Sequence, residues 1–155
     1  MSRFFTILAI LTLALAACKE MEKKVEEPQG ISLPTLPTEI KMELLNACTG
    51  VDYQFASLPF SINQDEDAAV KANIMFIGDE TPGPIPPSCK PIGREFFVVG
   101  GDIKYEADIY FTPGCMYYLF MDKDKYTPKY ANKISQTGMA FYQNLIDIAK
   151  KQQQQ

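Results

Sequence analysis

The sequence contains no histidine and no tryptophan. The absence of histidine excludes Ser-His-Asp and Cys-His nucleophile activation, and it excludes histidine ligands to zinc or haem. The sequence also lacks an S-x-x-K motif, a P-loop and a G-x-G-x-x-G motif, which mark serine–lysine hydrolases and nucleotide-binding proteins. We therefore expect no cofactor and no metal centre, and we predict that the chain is not an enzyme.

Basic residues are outnumbered and scattered. Lysine and arginine number 15 against 19 aspartates and glutamates, which gives a formal net charge of −4 at pH 7. Proteins that bind nucleic acids neutralise phosphates with clustered lysines and arginines. The sequence has no such cluster, so we expect no nucleic-acid partner.

An apolar run, Phe4–Ala17, dominates the start of the chain and follows a single positive charge at Arg3. The run is shorter than the roughly 20 residues that a membrane-spanning helix needs. A charged start, a short apolar centre and small residues at the end are typical of a secretory signal peptide. We therefore predict that residues 1–17 are a signal peptide.

The run ends in Leu15-Ala16-Ala17-Cys18, which resembles the lipobox of bacterial lipoproteins. The resemblance implies that Cys18 is acylated with palmitate-type chains and becomes the first residue of the mature protein. Lys19 follows, rather than the aspartate linked to inner-membrane retention, so the resemblance favours the outer membrane. We expect a lipid-anchored protein of the bacterial cell envelope, facing either the periplasm or the outside.

Charged and then proline-rich residues follow the expected lipidation site. Residues 18–37 lack a core-forming pattern, which is typical of a flexible tether. We predict one globular domain over residues 38–151, a length that can bury a core of its own, and a disordered glutamine tail over residues 152–155.

Three cysteines remain once Cys18 carries lipid. An exported chain meets an oxidising compartment, which favours one disulfide and one free thiol. We predict the pair Cys89–Cys115, because Cys89 lies in a proline-rich loop (residues 79–93) that a bridge would fix to the start of a strand. Cys48 is expected to pack as a small apolar residue. A three-cysteine metal site is a weaker alternative, since there is no C-x-x-C spacing.

The first half of the domain has a mixed pattern. Residues 39–47 favour a helix with Cys48 on its inward face, and the following VDYQFASLPFSI favours extended chain broken near Pro59. Residues 65–77 fit both helical spacing and strand alternation, and we prefer the helix.

The second half has the clearer pattern. Two strands flank Gly100-Gly101, a third covers 115–122 and a fourth covers 126–134, where Pro128 requires a sheet edge. A helix over 135–150 follows. The predicted fold class is α+β, a four-stranded antiparallel meander with an N-terminal and a C-terminal helix packed on one face.

Two features are candidate sites. Glu106 and Asp108 lie two residues apart on one strand, so they project together and are weak candidates for a paired-carboxylate hydrolase; a solvated outer face is the simpler interpretation. Separately, the strand over 115–122 is apolar on both faces, although helices cover only one. The proline-rich loop, a protein partner or an apolar ligand must cover the other face. We predict a binding surface that comprises Tyr110, Tyr117, Tyr118 and Phe120.

These observations favour a non-catalytic envelope lipoprotein that binds another protein, as an accessory or assembly factor, through an aromatic face of its sheet. One alternative is a lipoprotein that binds a small apolar ligand. A carboxylate-based hydrolase of envelope glycans is a weaker alternative.

Overall fold

A computed structural model describes residues 30–56, 58 and 60–152. The predicted signal peptide, the lipobox, most of the tether and the last three glutamines lie outside the described residues. The described part contains three helices, α1 (Thr38–Ala47), α2 (Asp67–Ile74) and α3 (Gln136–Gln152). It also contains six strands, β1 (Cys48–Phe55), β2 (Ser61–Gln64), β3 (Gly93–Val99), β4 (Asp102–Thr112), β5 (Cys115–Asp122) and β6 (Thr127–Lys133).

The strands form one antiparallel sheet in the order β2-β1-β3-β4-β5-β6. The α+β class is confirmed, and the predicted meander is present as β3 to β6. The predicted number of four strands is too low, because the extended segment after α1 forms β1 and β2. β1 then pairs with β3, far along the chain.

Glycines close two of the three hairpins of the meander, those between β3 and β4 and between β4 and β5. Gly100 and Gly101 have φ values of 66° and 90°, and Gly114 has a φ of 80°. Side chains disfavour this left-handed region, so glycine fixes these turns and with them the register of the strands. Pro128 lies in β6 at the edge of the sheet, as predicted.

The segment over 65–77 contains helix α2, so the helical interpretation is confirmed and the strand alternative is wrong. Cys48 is not on a helix. It is the first residue of β1, it is half-buried, and its thiol donates to the carbonyl of Gly50 at 3.2 Å. Ser135 caps α3, because its hydroxyl accepts from the backbone N–H of Gly138 at 3.3 Å.

The main core lies on the face of the sheet that carries the helices, here called the helix face. All three helices contribute to it, through Leu44 of α1, Val70 and Ile74 of α2, and Tyr142 of α3. The predicted packing of the first and last helices on one face is therefore confirmed. From the sheet come Val51, Tyr53, Phe97, Ala107, Ile109, Phe111, Tyr118 and Phe120.

A second, smaller core lies on the opposite face, here called the second face, under β5 and β6. Its buried residues are Ile85, Tyr117, Leu119 and Ala131. Two irregular segments cover it, the proline-rich loop and residues 31–34, and they pair with each other through the backbones of Ile31 and Ile85. The proline-rich loop was one of the three predicted ways to cover this face, and it is confirmed as one of the two segments that do so.

Residues 31–36 belong to the domain, which corrects the predicted boundary at residue 38. The carbonyl of Pro34 accepts from the N–H of Ala131 at 2.8 Å, and the N–H of Leu36 donates to the Asn132 side chain at 2.8 Å. Leu36 is 6% exposed. This segment contributes isolated apolar side chains and backbone hydrogen bonds, so its apolar residues show neither helical nor strand spacing. For this reason its sequence resembled that of a tether.

Candidate functional site

The predicted aromatic surface is mostly buried. Tyr118 and Phe120 are 0% and 2% exposed in the main core, and Tyr117 is 2% exposed in the second core. Tyr110 alone of the four is half-exposed, and its ring stacks on that of Tyr117 with centroids 4.7 Å apart. The prediction of an exposed face made of these four rings is wrong, because helices cover one side of β5 and irregular segments cover the other.

The Cys89–Cys115 disulfide is confirmed. It joins the proline-rich loop to the first residue of β5 and so holds the loop over Tyr117 and Leu119. Cys48 is the free cysteine among the described residues. Burial raises the pKa of its thiol above the ordinary value, which makes Cys48 a poor nucleophile.

In the described part of the chain, the second face is uncovered over β1, β3 and β4 up to Asp108, whereas Tyr110 near the end of β4 packs against the second core. Residues directly opposite one another on neighbouring strands point to the same side of a sheet. One row of opposite residues runs Asp52, Phe96, Glu106, and the next runs Gln54, Arg94, Asp108. The second row continues into Leu119 and Ala131 of the second core. We call the two rows, which together comprise Asp52, Gln54, Arg94, Phe96, Glu106 and Asp108, the open patch.

Arg94 organises the charges of the open patch. Its Nε donates to Oδ1 of Asp108 at 2.7 Å, and its Nη1 donates to Oε2 of Glu106 at 3.3 Å. The hydrogen bond to Asp108 is the main cause that raises the pKa of Arg94. Glu106 and Asp108 therefore do project together, as predicted, but the guanidinium bridges them. It occupies the position where a paired-carboxylate hydrolase would hold the scissile bond.

The helix face contains a buried carboxyl group, that of Glu95. It is 0% exposed and lies opposite Tyr53 on β1 and the small Ala107 on β4. Neither carboxyl oxygen has a hydrogen-bond partner among the described residues. Burial raises the pKa of Glu95 to about 8, and the nearby hydroxyls of Tyr53 and Tyr142 only partly oppose this rise.

The tyrosine hydroxyls around Glu95 are committed to other partners. Tyr53 donates to Oδ1 of Asn73 at 2.5 Å, and the Tyr118 and Tyr142 hydroxyls bond each other at 2.8 Å. Burial raises the pKa of all three tyrosines well above the ordinary value, and the charge of Glu95 raises it further. At neutral pH Glu95 is therefore a protonated carboxylic acid enclosed by neutral phenols. Because it is fully buried, a substrate would reach it only if the core opened.

Comparison with protein-family models, with curated proteins and with solved structures found no match to this chain. Over the part of the chain that the structure describes, no helix is long and apolar enough to cross a membrane. In the same residues, no three cysteine, aspartate or glutamate side chains are grouped so that they could hold a metal ion.

Sequence reasoning missed Arg94 and Glu95, which are neighbours on β3. Their alternation places Arg94 on the second face and Glu95 on the helix face. In the sequence around them, REFFVV, apolar residues occur on both sides of the strand. The sequence therefore did not show which side faces the main core. The pairing of Arg94 with Asp108 is a register property of two strands, so only the adjacency of β3 and β4 in a hairpin could have indicated it.

Proposed function

We propose that this chain is a non-catalytic, lipid-anchored protein of the bacterial cell envelope that binds a protein partner, as an accessory or assembly factor, through the open patch. The observation that carries the proposal is the partial cover of the second face. In the described residues, the cover extends over β5 and β6 and leaves the two rows of the open patch facing outward.

The composition of the open patch suits a protein partner. Arg94 and Phe96 are half-exposed, and arginines and aromatic rings carry much of the energy of protein interfaces. A shallow groove of about 370 Å³ passes between them and the end of β1. The groove is open along the sheet, which suits a side chain or a short extended segment of another protein.

The charges of the open patch indicate the chemistry of the partner. Asp52, Glu106 and Asp108 contribute three carboxylates against the single guanidinium of Arg94. A partner that places a lysine or arginine beside an apolar side chain would complement both the excess negative charge and the ring of Phe96. Salt screens such attraction between charges near the surface, so the association should weaken as ionic strength rises.

The lipid anchor is tested by replacing its expected attachment site. A Cys18→Ser chain should move from the membrane fraction to the soluble or unprocessed fraction, because it lacks the acyl chains that give durable membrane attachment. Fractionation and intact-mass measurement of both chains provide the test, with Cys48→Ser as the control that keeps the anchor. A Cys18→Ser chain with unchanged mass and membrane location would contradict the lipidation.

The partner interface is tested by photocrosslinking in cells. A photoreactive phenylalanine analogue at Gln54, an exposed position of the open patch, should give one discrete protein adduct that weakens at high salt. Adding Phe96→Ser to this chain should remove most of that adduct, because the ring contributes apolar contact area at the centre of the patch.

Two controls make the crosslinking result specific. Ile148→Ser removes an exposed apolar side chain from α3, on the other side of the sheet, and should leave the adduct unchanged. The analogue at Asn144 of α3 should not give the same adduct. An adduct that survives Phe96→Ser in a folded chain, or that forms equally from Asn144, would exclude the open patch as the interface.

A further inference from the structure

A groove on the helix side of the sheet is independent of the open patch. The second half of α3, the end of β4 and the segments that lead into β2 and β3 form its walls. Its volume is about 370 Å³, within the roughly 300–1,000 Å³ range of small-molecule sites. We call it the α3 groove, and its lining residues are Leu58, Ile92, Phe111, Thr112, Ile146, Ala149 and Lys150.

The lining of the α3 groove is apolar with one polar end. Five of its seven residues are aliphatic or aromatic, and the other two are Thr112 and Lys150. Phe111 and Ala149 are 8% and 2% exposed, so they form a buried floor, whereas Lys150 is exposed at the rim. None of the lining residues is acidic. The groove therefore combines an apolar trough with a single positive charge beside it.

The walls of the α3 groove are held in place by backbone hydrogen bonds. The N–H of Ile92 donates to the carbonyl of Ile109 at 2.8 Å, and the carbonyl of Ile92 accepts from the N–H of Ala56 at 2.8 Å. Ile146 and Phe111 are packed against or within the main core. A ligand would thus enter a largely preformed site, which lowers the entropic cost of binding.

We propose that the α3 groove binds one acyl chain that carries an anionic headgroup, such as a free fatty acid. The chain would lie against Phe111, Ile146 and Ala149, and the headgroup would meet the ammonium of Lys150 at the rim. Charge complementarity selects an anion over a cation, because Lys150 is the only charged residue among the described residues that line the groove. The mainly apolar lining selects an acyl chain over a compact polar anion.

The division of affinity follows from exposure. An ion pair with an exposed lysine contributes little, so removing it should weaken binding by at most about fivefold. Burial of the chain contributes more, because replacing an isoleucine that it covers by a polar residue removes roughly the transfer energy of that side chain. This corresponds to a loss of about tenfold or more.

The test is titration calorimetry with laurate and with its neutral match, lauryl alcohol, both below micellar concentrations. The protein is the full chain with Cys18→Ser, so that no attached lipid competes. We expect one laurate site per chain and weaker binding of the alcohol. Lys150→Gln should remove the preference for laurate, while its neighbour Lys151→Gln, which does not line the groove, should keep it.

The apolar contact has its own matched pair on the same helix. Ile146→Gln should weaken both probes by about tenfold or more, while Ile148→Gln, an exposed position outside the groove, should change binding less than about twofold. Circular dichroism and thermal unfolding establish that each variant is folded. If Ile146→Gln does not fold, Ile146→Ala replaces it and should weaken both probes by several-fold.

Four results would overturn the proposal. The first two are a folded wild-type chain that binds no laurate, and laurate binding that the Ile146 variants do not weaken. The third is that the groove inserts into phosphatidylglycerol vesicles and does not bind free laurate. The fourth is that the chain forms a dimer that depends on Ile146 and excludes laurate. None of these results bears on the open patch, because the two sites lie on opposite faces of the sheet.

Discussion

Glu95→Gln should raise the free energy of unfolding by about 4 to 5 kcal/mol at pH values above 8, because it replaces the buried acid of the main core by a neutral group of the same shape. The size follows from the shift of the Glu95 pKa from 4.5 to about 8, at about 1.4 kcal/mol for each pH unit. This is the largest effect that we expect from any single substitution in the domain.

The sign of the effect follows from proton binding in the two states. Between pH 4.5 and about 8 the folded chain keeps the Glu95 proton, while the unfolded chain has lost it. The unfolded state therefore binds fewer protons, and the contribution of Glu95 to stability falls as pH rises through this window. Below the window both states are protonated and the variant should match the wild type. Above it the difference should be constant.

Urea unfolding of both proteins across this pH range measures the difference directly, and effects of other titrating groups cancel in the comparison. Glu66→Gln, at an exposed position before α2, is the control and should keep the wild-type pH profile. Parallel profiles for wild type and Glu95→Gln would show that Glu95 ionises in the folded chain with its ordinary pKa.

The same carboxyl group illustrates what the sequence could and could not predict. Turn chemistry at Gly100-Gly101 is local, since a positive φ is a property of one residue, and it helped to predict the meander from β3 to β6. The pairing of β1 with β3 depends on the closure of a long segment that no local pattern encodes. That pairing determines which side of β3 faces the main core, and so it buries Glu95 and places Arg94 on the second face.

The candidate surface failed for a related reason. The two-sided apolar pattern of β5 correctly indicated that both faces are covered. It did not identify the cover, because residues 31–34 and the proline-rich loop contribute single apolar side chains such as Leu33 and Ile85 without any period. In contrast, the disulfide was predictable, since the expected export and lipidation of Cys18 left three cysteines with few pairings, and a loop cysteine paired with a strand cysteine was the simplest.

The disulfide carries the second large effect. The double variant Cys89→Ser/Cys115→Ser should unfold with a free energy about 3 to 4 kcal/mol below that of the wild type. The bridge spans a sequence separation of 26 residues, and it lowers the conformational entropy of the unfolded chain by the closure of that loop. Urea unfolding under oxidising conditions measures the loss, and Cys48→Ser, at a half-buried free thiol, should cost less than about 1 kcal/mol.

The position of the bridge also predicts where the folded variant loosens. Without it, the proline-rich loop is held over Tyr117 and Leu119 mainly by apolar contacts and by the paired backbones of Ile31 and Ile85, at 2.8 and 3.2 Å. Hydrogen exchange should therefore accelerate in the loop and in residues 31–36, and remain slow in β3 and β4, whose pairing does not depend on the cover. Unchanged exchange in the loop would mean that packing alone holds the cover, and uniform acceleration would mean that the second core and the main core unfold as one unit.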